Sequence, residues 1–415
     1  MTSARGLVAA ALVVGGGACG DASGGGSRAV VERDSAGVTI VENPALPDSG
    51  GALAFAAEPD VTIGVLEGAP EYQLHEVISA VRLSDGRIVV ANGGTHELRW
   101  YDESGRHLYT AGRQGQGPGE FEGMGDLWRL PGDSVVVFDW NTRRLSLFDH
   151  RGEFVSSHPL GSAADGMAYP IGMLTSEIAL LRGGIAMVDR EAGEGVRPQR
   201  LPLRLLHWRS DDARSDSLMT VDGGDWFTGT VSGGPLYYMP VFLAPIPSVS
   251  AIGGAIYRGV AERYEIEVYD STGGLRRLIR VAHERMPLSA EEIERRTQEY
   301  LERMGSERAR SMQAQLLEKM PKPKYAPAHG RVFADELGRV WVFRWTAGRG
   351  GMPGSNDSGA TWDVFDREGR WLAVVRTPAN FGIRDVGEDW VLGVSRDEFD
   401  VEQVRMYRLT RAVES

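Results

Sequence analysis

Eight histidines, 57 acidic side chains and a single cysteine are the residues of this 415-residue chain best equipped for chemistry. His75, His96 and His283 each precede a glutamate, but none has a second histidine four residues on, so the helical two-histidine zinc motif is absent. The other histidines, at 107, 150, 158, 207 and 329, are scattered. No Gly-x-Ser-x-Gly nucleophile elbow occurs. Asn356-Asp-Ser-Gly359 faintly suggests a calcium loop but lacks the alternating ligands and the terminal glutamate. Carboxylates are too numerous for spacing to single out a pair. Spacing therefore names no catalytic, cofactor-binding or metal-ligating set. Aromatic side chains offer a different chemistry. Asp225–Met239 gathers Trp226, Tyr237 and Tyr238 among glycines in what reads as a long loop. Such rings could stack on a sugar, a peptide or an aromatic ligand, or could cover the apolar rim of a sheet. A second loop, Ala347–Gly359, is flexible and polar in composition.

Cys19 is the only cysteine, so no disulfide, paired-cysteine zinc site or Cys–His dyad can be built. What precedes it reads as an address. Arg5 is a basic n-region, Leu7–Val14 a short apolar core, and Gly16-Gly17-Ala18 the small residues of a cleavage site. The apolar stretch is too short to span a bilayer. The segment resembles a bacterial lipoprotein signal, which implies that residues 1–18 are removed and Cys19 carries lipid. Gly16, where leucine is usual, departs from that pattern. An ordinary secretory signal with a chance cysteine is the alternative. Residues 19–30, Gly- and Ser-rich, read as a flexible tether.

The remaining residues must supply the scaffold. Glycine makes up 54 of the 415 residues without a collagen-like period, which points to many turns and short strands. Net charge is −12, so the basic surface that nucleic-acid binding demands is missing, and no nucleic-acid partner is expected. Asp85–Gly105 and Gly132–Gly152 align without gaps: Asn92 matches Asp139, Leu98 matches Leu145, and Asp102 and Gly105 match Asp149 and Gly152. Further copies run through Tyr264–Gly273, Asp335–Gly369 and Asp389–Leu409, and a degenerate one through Gly184–Trp208. In each unit an apolar strand such as Arg87–Ala91 should be buried on both faces, and one such as Glu97–Tyr101 should keep a wetter face. Asp102, Asp149, Asp270 and Asp366 precede a turn glycine and should cap the turn. Four antiparallel strands per unit is the content of a propeller blade. The units fall at 78–120, 123–160, 168–222, 238–286, 326–377 and 379–412. The last is short of a strand, which Val61–Leu66 could supply, closing the sheet edge.

The run Gly112-Arg-Gln-Gly-Gln-Gly-Pro-Gly-Glu-Phe121 after an Asp-x-x-Gly turn resembles the blade junction of NHL-repeat and related six-bladed β-propeller proteins. The chain as a whole resembles six-bladed propeller lipoproteins of environmental bacteria with no assigned activity. The resemblance covers about residues 60–412 and implies an all-β fold over 31–412: a six-bladed β-propeller closed by an N-terminal strand. The glycine-rich junction lacks the Gly-Lys-Ser/Thr ending and the following helix of a phosphate loop. Some related six-bladed enzymes hold Ca²⁺ or Zn²⁺ with ligands gathered from distant blades. The resemblance thus leaves a channel metal open where spacing names no cofactor.

One stretch breaks the β pattern. Ser289 and Glu292 form a capping box, Ile293, Tyr300, Leu301 and Met304 share a helical face, and Ala309, Met312, Leu316, Leu317 and Met320 form a second stripe ended by Pro321 and Pro323. Residues 289–320 should be an inserted helical hairpin, either a packed flap or a lid or partner surface. The function these features favour is an exported, envelope-anchored propeller that binds a ligand or an envelope protein, its membrane contact made through lipid on Cys19. A metal-dependent lactonase- or lyase-like enzyme with its site at the channel is the alternative.

Overall fold

The computed structural model describes residues 29–160, 168–183, 193–209, 214–231, 234–345 and 359–410. The leader and Cys19 lie outside them, as do the tether up to residue 28, residues 347–358 of the second expected loop and residues 184–192 of the degenerate repeat.

Strands follow one another in chain order as antiparallel sheets. The first sheet holds Val77–Arg82, Ile88–Asn92, Glu97–Tyr101 and His107–Ala111. The second holds Met124–Arg129, Val135–Asp139, Arg144–Phe148 and Phe154–Pro159. Tyr169–Met173, Ile178–Arg182, Gly195–His207 and Ser215–Thr230 come next, with Leu236–Pro240 added at the edge. Ser248–Ile252, Ala255–Val260, Glu265–Asp270 and Leu275–Val281 follow, joined to the previous set by a short parallel pairing of Gly172–Met173 with Ala251–Ile252. Val332–Ala334, Val340–Phe343, Thr361–Phe365 and Trp371–Arg376 form the next sheet. Phe381–Val386, Trp390–Arg396 and Glu402–Thr410 form the last. Val61–Ile63 pairs antiparallel with Glu402–Thr410, placing Ile63 opposite Val404.

Each sheet is buried between its neighbours. Leu98 and Trp100 pack with Phe121, Val137 and Phe148 of the second sheet. Val136 and Leu145 meet Met173 and Trp208. Leu180 and Leu203 meet Ile256. Ile266 and Ile279 meet Val340 and Phe365. Trp341 and Val364 meet Phe381 and Tyr407. Leu392 and Val404 of the last sheet then pack with Ile88, Val90 and Tyr101 of the first. This is a β-propeller: every sheet gives both faces to a core, and each buried Leu, Val or Phe contributes about 1.5–3 kcal/mol. Two-sided burial explains why Ile88–Asn92 is buried throughout. It also corrects the wetter face expected for Glu97–Tyr101, which is buried from Leu98 to Tyr101. The first sheet covers one of its faces with the second sheet and the other with the last.

The turns are chemically uniform. Asp102 accepts hydrogen bonds from the backbone N–H groups of Ser104 (3.0 Å) and Arg106 (2.9 Å), and Gly105 takes φ +84°. Asp149 does the same for Arg151 and Glu153, Asp270 for Thr272 and Gly274, and Asp366 for Arg370. The glycine-rich junction closes on itself: Phe121 donates to the Arg113 carbonyl, and the Gly117 N–H donates to the Glu120 carboxylate at 2.8 Å.

Helices α1 (Ala290–Glu302) and α2 (Glu307–Lys319) lie between the fourth and fifth sheets in the chain. Ser289 and Ser306 cap them, each accepting from an N–H three residues on. Leu316, Leu317 and Met320 pack with Phe227, Val241 and Phe242.

Several other expectations are corrected. The supposed loop 225–239 is largely strand: Ser215–Thr230 pairs with Leu236–Pro240, Thr228 opposite Tyr238. Its glycines suggested a loop, but the aromatic and β-branched residues between them pack and pair. Consequently residues 236–240 belong to the third sheet, and the fourth starts at Ser248 rather than at 238. In the degenerate copy the strand paired with Leu203–His207 is Ile178–Arg182, upstream of the expected one. The N-terminal strands Val31–Ser35 and Val38–Asn43, the latter parallel to Leu275–Val281, had no repeat to signal them.

Candidate functional site

The first strand of each sheet lines a central channel. One cavity of about 530 Å³ is walled by Val81, Leu127, Ile171, Ser250, Phe333 and Arg384, one residue from each of those strands. A second, of about 720 Å³, opens at the strands' N-terminal ends around Val77, Gly382, Phe343 and Trp362. Arg331 and Arg384 belong to both walls, so they stand between the two ends.

Two arginines, Arg331 and Arg384, line this channel, and Asp126 is near enough to attract both. Asp126 is the exposed position of Met124–Arg129, Arg384 that of Phe381–Val386, and Arg331 directly precedes Val332–Ala334. Their side chains reach solvent, yet desolvation dominates their titration, as expected for groups inside a channel. Desolvation pushes the Arg331 pKa down against the pull of Asp126. It pushes Arg384 down as well, with repulsion from Arg331 adding to it. Asp126 is held above the usual carboxylate range by desolvation, which outweighs the attraction of both arginines. Among the described residues neither arginine makes an ion pair. Arg384 reaches the Ile383 carbonyl at 3.4 Å, and Arg331 lies 5.4 Å from the Phe333 ring centroid. A third guanidinium at this mouth, Arg396, is already engaged by Asp400 at 2.8 Å and Glu402 at 2.7 Å.

A smaller cavity of about 310 Å³ lies under the helical hairpin and shares Gly330 and Arg331 with the channel mouth. Its roof is fixed: Arg296, buried in α1, is held by Glu292 at 2.8 Å and stacks on Trp345 at 4.5 Å. Tyr300 packs on Phe242, ring centroids 5.2 Å apart.

The aromatic residues singled out by sequence lie elsewhere. Trp226 stacks on Tyr238, centroids 4.8 Å apart at 19°, and its Nε1–H donates to the Gly223 carbonyl at 3.2 Å. Trp226 is 8% exposed, and desolvation pushes the Tyr238 hydroxyl up to about 12. Tyr237 packs into the core beneath the hairpin. The structure thus brings Trp226 and Tyr238 together as a stack and makes Tyr237 a support for α2. Cys19 and Asn356–Ser358 lie outside the described residues. Two histidines come together, His283 and His329, whose rings both pack on Tyr264 at 5.9 and 5.1 Å; His329 is buried with Nδ1 on the Gly330 carbonyl, His158 packs on Trp208, and His207 pairs with Asp216. Among the described residues no group of three or more His, Cys, Asp or Glu could hold a metal ion.

Sequence reasoning missed Asp126, Arg331 and Arg384. The available signal was a charged residue amid the apolar and glycine residues of a first strand, as in Met124-Gly-Asp-Leu127, Gly330-Arg-Val332 and Ile383-Arg-Asp385.

No known family profile and no curated protein sequence matches the chain. Solved structures do. A member of the DUF4221 family from Bacteroides vulgatus aligns with TM-score 0.51 at 11% identity, covering 87% of this chain and 99% of that one. A putative exported protein from Bacteroides fragilis aligns at 0.45 and 8%, covering 88% and 99%. Virginiamycin B lyase from Staphylococcus aureus aligns at 0.37 and 10%, covering 80% and 94%. At these identities the likeness is one of fold, and the chain shares its β-propeller fold with the DUF4221 protein.

Proposed function

We propose that this chain is an exported, lipid-anchored binding protein. Its propeller has six blades, the last completed by Val61–Ile63, and its channel mouth holds an anionic small ligand between Arg331 and Arg384. The observation that carries the binding role is the pair of guanidinium groups that line a desolvating channel and make no ion pair among the described residues, the pull of Asp126 on both and of Glu402 on Arg384 being outweighed by desolvation. A charge held in that way is costly unless something compensates it, and a carboxylate or phosphoryl ligand would do so with charge-assisted hydrogen bonds. The blade count rests on the succession of sheets and on the core joining the last to the first. The anchor rests on the leader and Cys19 alone.

Calorimetric titration of the processed protein with small carboxylates and phosphates at low salt tests the binding role. Saturable binding lost in Arg331→Gln and Arg384→Gln is expected. Equal binding by wild type and variants would overturn it. Lipid labelling of wild type but not Cys19→Ser tests the anchor, and an unlabelled, soluble wild type would refute it.

A further inference from the structure

We infer that the ligand is an amphipathic acid, its carboxylate on Arg331 and its apolar body in the cavity beneath the helical hairpin. This rests on the anion-binding role proposed for the channel mouth and adds the chemical class. The argument starts from the wall that both cavities share. Arg331 and Gly330 border the channel mouth and also the cavity under the hairpin. On the mouth side the charged Arg384, Arg396, Asp397 and Glu402 stand among apolar residues such as Phe343 and Trp362. On the hairpin side apolar and aromatic residues, Phe242, Ile246, Pro247, Tyr300 and Trp345, form a continuous part of the wall, with Arg182, Arg296, Glu299 and Arg303 beside them.

A small hydrophilic anion would satisfy Arg331 and leave that second surface wet. A molecule with a ring or a short carbon chain beside its carboxylate would satisfy the charge and displace that water, gaining in proportion to the apolar area covered. A volume of about 310 Å³ is at the small end for organic ligand sites, which favours a single ring or a few carbons over a long acyl chain.

Two further features point the same way. The Nε of Arg182, which lines the same cavity, is buried with no hydrogen-bond partner among the described residues. That Nε is closed to solvent, but the Arg182 guanidinium adds positive charge beside the cavity for an acid. The cavity is also built in advance: Arg296 clamps Trp345, Tyr300 packs on Phe242, and the Met320 sulfur accepts the Phe242 N–H. A preformed wall lowers the ordering cost of binding. Ile246, 43% exposed, sits open at this wall in place of a polar residue.

Four probes separate head from body: acetate, hexanoate, 3-phenylpropanoate and 3-phenylpropanamide, titrated into the full processed protein. Hexanoate and 3-phenylpropanoate should bind at least about tenfold tighter than acetate, and the amide at least about tenfold weaker than its acid. Ile246→Asn, an uncharged polar change at an exposed site, should shrink the advantage of the longer acids over acetate. Arg331→Gln should weaken all three acids. Acids that bind alike whatever their tail would overturn the amphipathic class while leaving the anion site standing. Amide and acid binding equally would show an apolar site without a role for Arg331. If none of the acids binds, both the class and the anion-binding role fall.

Discussion

At one end of the channel Arg129 is paired with Glu336 and lies 3.8 Å from Asp133, and Asp133 accepts from the Ser84 N–H and hydroxyl at 2.9 and 2.6 Å. Asp335 takes Arg339 at 2.6 Å and the Trp341 indole at 3.0 Å. Asp385 accepts from the Arg82 and Val386 N–H groups, each at 2.9 Å. Toward the other end, where the two cavities meet, Arg331 and Arg384 feel Asp126, and Arg384 also Glu402, but neither makes an ion pair among the described residues. Both regions are rich in charge, but Arg331 and Arg384 lack the ion pairs that hold Arg129 and Arg339. The difference separates charges that hold sheets together from charges that await a partner: buried polar groups in a finished structure are paired, and an exception calls for a reason.

The largest effect should come from the satisfied end. Asp335→Ala leaves the buried Arg339 without a counter-charge, held only by the Gly387 and Glu388 carbonyls, and the Trp341 indole without an acceptor, and should cost about 3–5 kcal/mol of stability. Chemical denaturation measures this, and a loss under about 1 kcal/mol would dissolve the contrast between the ends.

Where the two cavities meet, Arg384→Gln removes a charge that makes no ion pair among the described residues. Stability should hold or rise, while affinity for small carboxylates falls about tenfold to a hundredfold, the worth of a hydrogen bond to a charged group. A destabilised variant with intact binding would make Arg384 structural instead.

Asp385 sharpens the comparison through pH. Burial pushes its carboxyl up to about 6, with the Glu336 charge adding. A carboxyl whose folded pKa is raised binds its proton more tightly in the folded state. It therefore contributes stability below its unfolded pKa of 3.8, and that contribution is lost as pH rises through about 6. Relative to Asp385→Asn, the wild type should lose on the order of 2 kcal/mol between about pH 4 and about pH 7. Melting both proteins across that range decides it, and a flat difference would mean that Asp385 titrates as an ordinary aspartate.

The smallest effect belongs to Arg396, which sits at the open mouth but is paired with Asp400 and Glu402. Arg396→Gln should change stability by under about 0.5 kcal/mol and acid affinity by under about twofold. A loss matching that of Arg384→Gln would show that position at the mouth, and not lack of pairing, selects the binding arginines.

Much of the fold was legible because its signals are local. An aspartate whose side chain accepts N–H groups two and four residues on, followed by a glycine at positive φ, carries its own turn wherever it occurs, as at Asp102–Arg106 and Asp149–Glu153. Ser289 caps α1 by the same kind of short-range bond. The candidate site was not legible in this way. Trp226, Tyr237 and Tyr238 looked available because their composition suggests a loop, and pairing between Ser215–Thr230 and Leu236–Pro240 turned them into packing. Asp126, Arg331 and Arg384 belong to segments far apart in the chain, and no spacing links them.

What the chain determines by itself is the alternation of short apolar strands with self-capped turns, the two capped helices, and an acidic total that argues against nucleic acid. These depend on contacts a few residues long. Which charges face one another, and which lack a counter-charge, only the tertiary structure decides. Asp126, Arg331 and Arg384 come from three different sheets and meet only when those sheets surround one channel. An electrostatic field is set by distance in space, and local sequence carries no record of it.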